Sequence, residues 1–241
     1  MSPEANHLLR LDRISTDWAI IRDPAKFVLR YAPAIHNYLV ALTRSRHEAE
    51  EISQDFYVRV LRYGFARANR DRGRFRDYLK ASVRNAARDY WQRKPSLQLD
   101  NLGLVRLAAP GEPDSTDDRW LVYWRRCLLK RAWRALEKHQ ARSPGNLFHT
   151  VLRMVVAHQG EDSEQLAART TALVGRPVQA AAFRKQLSRG RRMFAQLLLR
   201  EVEQTLDGPT PQQLEEELVE IGLMRHVRDF LPEDWRTRTQ I

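Results

Sequence analysis

Apolar side chains recur at three- and four-residue spacing through most of the chain, and the strict alternation of a β-strand is nearly absent. That spacing predicts an all-α protein. A first helix is expected near Thr16 or Asp17, either an acceptable N-cap, ahead of Trp18, Ile20 and Ile21. Pro24 suits the first turn of a second helix capped by Asp23. Its apolar positions are Phe27, Leu29, Tyr31, Ile35, Tyr38, Leu39 and Leu42, with Pro33 expected to bend or interrupt it. Thr43 to His47 reads as a short connection. The helix from Glu48 then sets Ile52, Phe56 and Val60, with Leu61 beside them, against Glu48, Glu50, Glu51 and Asp55. The next places Phe75, Leu79, Val83 and Ala86 on one face and runs on into Tyr90 and Trp91. Short joints between such helices bury their apolar faces together, so residues 17–94 read as one compact bundle.

Lys94-Pro95 closes that bundle, since a residue before proline is pushed out of the helical region. Residues 95–118 hold Pro95, Gly103, Pro110, Gly111 and Pro113, then Asp114, Asp117 and Asp118, and read as a linker. Leu97, Leu99, Leu102, Leu104, Val105 and Leu107 make it less polar than an ordinary linker and able to dock in part. Residues 119–206 form a second helical domain, opening with Trp120, Trp124, Leu128, Ala132 or Trp133, and Leu136 at helical spacing. A break at Ser143 to Asn146 precedes a helix through Leu147, Val151, Met154 and Val155. Beyond Gly160, Asp162 or Ser163 can cap a short helix through Leu166, Ala167 and Leu173. A turn at Gly175-Arg176-Pro177 leads into a long helix from Val178 toward Leu206. Short helix, glycine-containing turn and basic second helix together predict a helix-turn-helix. Residues 207–241 are a tail with an acidic amphipathic helix, its stripe Leu214, Leu218 and Ile221 flanked by Glu215, Glu216, Glu217 and Glu220.

Charge narrows the partners. The 241 residues carry a formal charge of +11, which favours polyanions: nucleic acid first, an anionic membrane second. No apolar run approaches a membrane span, and the first residues lack a signal-peptide core. The single cysteine, Cys127, rules out an intramolecular disulfide and suits a reducing cytoplasm; its neighbours Trp124, Leu128 and Leu129 predict a buried thiol. Glycine-loop, GxSxG and HExxH motifs and paired cysteines are missing. Glu48, Glu51 and Asp55 share one side of a helix and could in principle hold a divalent cation, but no second acidic cluster completes the site. Neither catalysis nor a cofactor is expected.

Two basic surfaces remain. Arg67, Arg70, Arg72, Arg74, Arg76, Lys80, Arg84, Arg88, Arg93 and Lys94 interleave with Phe75, Tyr78, Tyr90 and Trp91. Such a surface can track phosphates while offering rings to unstacked bases; the alternative is a solvated basic helix whose aromatics are core. In the long C-terminal helix, Phe183, Leu187, Phe194 and Leu198 are expected to face the core, with Gln179, Arg184, Lys185, Ser188 and Arg189 on or near the other face. Arginine can fork onto guanine and glutamine onto adenine in the major groove, while Arg191 and Arg192 suit phosphates.

The run from Ala49 to Val60, AEEISQDFYVRV, resembles the second conserved region of bacterial sigma factors of the extracytoplasmic-function type. Gly73 to Leu79 and then Arg84 to Tyr90 resemble the promoter-opening segment of that family, in matching order and spacing. The resemblance implies docking on core RNA polymerase through Glu50, Glu51, Gln54 and Asp55. It further implies capture of the minus-ten strand by Asn69, Arg72, Arg74, Tyr78, Arg84, Asn85, Arg88 and Trp91. Ala182 to Arg192 resembles the family's recognition helix, which puts Arg184, Lys185, Ser188 and Arg189 at base-reading positions over a minus-thirty-five element. One departure is that Ala167 to Gly175 is a few residues longer than the family's usual first helix and turn. The end of the chain, Arg200 to Leu206 followed by Glu215 to Leu218, resembles sigma factors common in planctomycete-type bacteria. A cytoplasmic protein follows, monomeric when free, with promoter DNA and core polymerase as partners, room for an anti-sigma factor or other inhibitory partner, and no membrane insertion. The competing readings are a stand-alone helix-turn-helix regulator, which dimerisation would favour, and an RNA-binding protein, which preference for structured RNA would favour.

Overall fold

A computed structural model describes residues 23–65, 74–93, 115–143, 145–206, 209–231 and residue 235. All regular structure among them is helical: α1 Pro24–Thr43, α2 Arg46–Tyr63, α3 Phe75–Arg93, α4 Ser115–Arg142, α5 Phe148–Ala157, α6 Ser163–Val174, α7 Ala180–Glu203, α8 Pro211–Glu220 and α9 Met224–Val227, then a 3₁₀ turn at Arg228–Phe230. The helix expected before Pro24, and the apolar linker positions from Leu97 to Leu107, lie outside the described residues. The chain divides into two compact units. One holds the described residues up to Cys127 together with Glu203–Glu216; the other holds Leu128–Val202 and the residues from Glu217 onward.

In the first unit α1, α2 and α3 pack on one another. Asp23 caps α1 by accepting from the Lys26 N–H at 3.1 Å, and Pro24 occupies the first turn. Pro33 does not interrupt α1, contrary to one expectation: the carbonyl it leaves without a donor is that of Leu29, a residue 81% exposed where water can serve instead. The following helix starts at Arg46 rather than Glu48, because Ser45 accepts from the Glu48 N–H and makes the cap. The Tyr57 hydroxyl donates to the Ala32 carbonyl at 3.1 Å and ties α2 to α1. Burial pushes that phenol up to about 12, against a smaller opposing effect from Ser53.

The first unit also contains the start of α4. Trp124 stacks on Tyr31 at 4.8 Å between ring centroids, Trp120 meets Tyr38 edge-on at 5.2 Å, and the buried Cys127 thiol donates to the Arg30 carbonyl at 3.2 Å. The division therefore falls inside α4, after Cys127, rather than at residue 119, and α4 begins at Ser115, within the stretch expected to be linker. Periodicity identifies a helix's apolar face but not the surface that covers it.

The second unit is built on Leu147, Val151, Leu166, Ala167 and Phe183, with Val178 and Leu187 packed against them. Helix α5 has no cap of its own at Leu147, so other side chains satisfy its first N–H groups. Gln186 of α7 accepts from Leu147 at 3.1 Å, Asn146 from Phe148 at 3.4 Å, and Gln140 of α4 from Thr150 at 3.0 Å. The backbones of α5 and α7 approach closely at Gly190: a Cβ there would lie 3.3 Å from the Phe148 Cα and carbonyl oxygen. Helix α6 opens with a capping box between Asp162 and Gln165 and closes at Gly175 in the left-handed conformation. Leu173, at the end of that helix, is exposed, whereas Phe194 leans on Trp133 at 5.1 Å. The tail is packed rather than loose. Leu214, Leu218 and Ile221 are buried, and Leu223, Met224, Val227 and Trp235 continue the buried set.

Candidate nucleic-acid interface

Three surfaces carry the sequence-predicted residues. The first is the acidic side of α2. Glu50, Gln54 and Asp55 are exposed and Glu51 is half-buried. These acids are answered from within the unit: the Tyr90 hydroxyl donates to Glu51, His47 lies 3.7 Å from Glu51, and Arg93 reaches Asp55 at 3.3 Å. Arg59 and Asp89 add a further α2–α3 pair at 3.2 Å. An open depression lined by Glu51, Gln54, Asp55, Tyr90 and Arg93 results. Among the described residues no cluster of His, Cys, Asp or Glu has the make-up of a metal site, and of the Glu48–Glu51–Asp55 row the latter two are engaged as above.

The second surface is α3. Arg88 and Asn85 are exposed and Arg84 half-buried, one helical turn apart on a common face that Ala81 and Asp77 continue. Arg74 and Tyr78 are half-buried near its start. Trp91 differs from expectation: at 8% exposure it belongs to the core stripe of Val83, Ala87 and Tyr90, so it offers no face to a base. Arg76, counted in the basic track, is likewise buried, its Nε 3.7 Å from Asp77. Asn69 and Arg72 lie outside the described residues.

What α3 and α2 do share is an aromatic clamp. Phe65, just past α2, and Phe75, the first residue of α3, meet edge-on at 5.4 Å, and both contact Phe27 of α1 at 4.6 and 5.7 Å. Tyr78 joins Phe65 at 6.1 Å. Phe65 and Phe75, which flank residues 66–73 in sequence, are thereby held side by side. Sequence reading placed Phe27 and Phe75 on apolar helix faces and Tyr78 at the minus-ten strand, and gave Phe65 no role; the spacing of these rings around the Arg-rich segment was the available signal.

The third surface is α7. Gln179, Arg184, Lys185, Ser188, Arg189, Arg191 and Arg192 are all exposed, and no acidic residue occurs between Arg176 and Arg200. Phe183 and Gly190 are buried on the opposite side, so packing sets which side chains project outward. Thr171 of α6 holds the intervening turn: its Oγ1 accepts from the Val178 N–H at 2.8 Å. Gln186, missed as a structural residue, seats α7 through its bond to the α5 terminus. Near the turn before α6, Glu161 takes a two-pronged bond from Arg169 at 2.6 and 2.7 Å, which holds its carboxyl below the usual range. Burial lowers His149, partly offset by Glu137.

No helix among the described residues is long and apolar enough to cross a membrane. Residues 27–95 match the family model of sigma-70 region 2, a span that covers α1, α2 and α3. The match is confined to this segment, which is similar to region 2 of sigma-70 factors. No curated protein and no solved structure matches the chain.

Proposed function

We propose that this protein is a dissociable promoter-specificity subunit of bacterial RNA polymerase, of the extracytoplasmic-function type. The observation that carries the reading is the coincidence of the region 2 match with a helical unit whose acids line α2 and whose Arg84, Asn85 and Arg88 share one face of α3. Glu50, Glu51, Gln54 and Asp55 then meet basic clamp helices of the core enzyme. The segment 66–73 and the Arg84–Asn85–Arg88 face of α3 take the non-template strand of the minus-ten element. Extruding a base costs a few kcal/mol of unstacking, and about 1–3 kcal/mol returns per base that stacks on a ring. With Trp91 buried, Tyr78 is the ring on hand for that role, and Arg72, Asn69 and Arg74 complete the set. Helix α7 reads the minus-thirty-five element as duplex through Arg184, Lys185, Ser188, Arg189 and Gln179, while Arg191 and Arg192 hold phosphates. The chemistry of RNA synthesis stays with the polymerase, so no cofactor enters the scheme.

The test is co-purification of the full chain with core RNA polymerase, followed by transcription from a randomised promoter library. Stable association and start sites sharing two spaced motifs are expected, and charge reversal at Glu51 and Asp55 should weaken the association. A protein that ignores the core enzyme but shifts duplex DNA as a dimer would instead be a stand-alone regulator.

A further inference from the structure

The face of α7 that bears Arg184 and Ser188 extends to Arg191 one turn on, and past it the same stripe is buried at Ala195, Leu198 and Val202. Arg191 thus stands at the edge where exposed basic surface gives way to packing. At that edge its guanidinium lies over the ring of Phe230, 5.7 Å from the centroid. Phe230 ends the 3₁₀ turn that follows α9. Its position is fixed by anchored neighbours: Leu223, Met224 and Val227 are buried, the Leu223 N–H donates to the Leu218 carbonyl at 2.8 Å, and the Leu231 N–H to that of Val227 at 3.1 Å. The ring itself is half-buried, while Arg191 is exposed.

A guanidinium stacked on a ring loses solvent from one face only. Its N–H donors lie in its own plane and still point outward, so stacking leaves them available to a phosphate and reduces the rotamer freedom lost on binding. We propose that Phe230 is a positioning residue for duplex DNA: the C-terminal segment preorganises Arg191 for a backbone phosphate and so forms part of the minus-thirty-five surface. The inference rests on the reading of α7 as a duplex-binding helix. It assigns the tail a direct part in promoter binding, through an aromatic ring rather than through its acidic helix.

Anisotropy titration of the full chain against a random-sequence DNA duplex at fixed low salt tests this, since a phosphate contact does not depend on base sequence. Phe230→Ala should weaken binding about two- to fivefold, the strength of an exposed cation–π contact. Phe230→Tyr should bind like the wild type. Phe230→Leu, which keeps apolar packing without a π face, should fold normally by circular dichroism yet bind like the alanine variant. In an Arg191→Ala background the loss from Phe230→Ala should vanish. Unchanged or tighter binding by Phe230→Ala, or a loss that persists without Arg191, overturns the proposal. Arg191→Ala alone should weaken binding and reduce the salt slope by about one. If it does neither, the duplex-binding reading of α7 falls, and the inference with it.

Discussion

Replacing Phe65 by alanine tests whether the aromatic clamp at the foot of segment 66–73 matters to promoter opening. The ring is 9% exposed and touches Phe27, Phe75 and Tyr78 at 4.6, 5.4 and 6.1 Å between centroids. Truncating a buried phenylalanine typically costs about 3–5 kcal/mol, of which each edge-on ring pair supplies about 0.5–1.5 kcal/mol. Phe65 lies past the end of a helix at the edge of the packed rings, so the cavity can relax, and the low end, about 3 kcal/mol, is expected. In urea melts followed by circular dichroism, that lowers the midpoint by about 1.5 M at unchanged slope. Phe65→Leu retains most of the volume but no ring edges and should cost about 1 kcal/mol. The acidic side of α2 does not include Phe65, so below the melting transition the alanine variant should still bind core polymerase. Strand opening, read by permanganate reactivity of the minus-ten thymines, should fall with the loss of the clamp. An unchanged midpoint would refute the packing argument. Equal losses in polymerase binding and strand opening would refute the claim that the clamp serves strand opening.

Other outcomes can be checked separately. Arg93→Gln frees Asp55 from its 3.3 Å partner, and an exposed pair of this kind is worth about 0.2–1 kcal/mol, so affinity for core polymerase should rise, by up to about fivefold, in a pull-down titration. Thr171→Val keeps the side-chain shape but strands the Val178 N–H, which should cost about 1–2 kcal/mol in a urea melt and weaken duplex binding by α7. Glu161 has its carboxyl lowered in the folded state, first by the Arg169 hydrogen bonds, from an ordinary value of 4.5. Its stabilising effect is therefore present above that ordinary value and lost as pH falls through the lower folded one. Melting temperatures of wild type and Glu161→Gln should differ slightly at neutral pH and converge in acid; a gap that widens on acidification would contradict the assignment.

Much of this was written in the periodicity. The stripes Ile52–Phe56–Val60 and Phe75–Leu79–Val83–Ala86 are buried as expected, and Asp23 and Asp162 cap their helices as expected, because each is decided within one or two helical turns. What failed depended on a partner distant in sequence. Trp120 and Trp124 read as the opening of a second domain, yet they complete the aromatic core around Tyr31 and Tyr38. Trp91 sat at the end of a basic helix and looked available to bases, but it continues the Val83–Ala87 stripe by one turn. Gln140 and Gln186 carried no signal at all: a glutamine on a helix face is ordinary until the unsatisfied terminus of another helix is brought against it. On α7 the exposed cations were legible because the buried Phe183 and Gly190 define the opposite side.

The close seat of α7 on α5 bears on how such a protein could be re-targeted. Gly190 fixes how deep the helix lies, and the exposed positions from Arg184 to Arg189 stand clear of that contact. Under the proposed function, substitution there changes which base edges are addressed without disturbing the seat, whereas a side chain at 190 displaces every one of those positions together. A library for altered promoter choice can thus randomise Arg184, Lys185, Ser188 and Arg189 freely, provided residue 190 stays glycine and residue 186 stays glutamine.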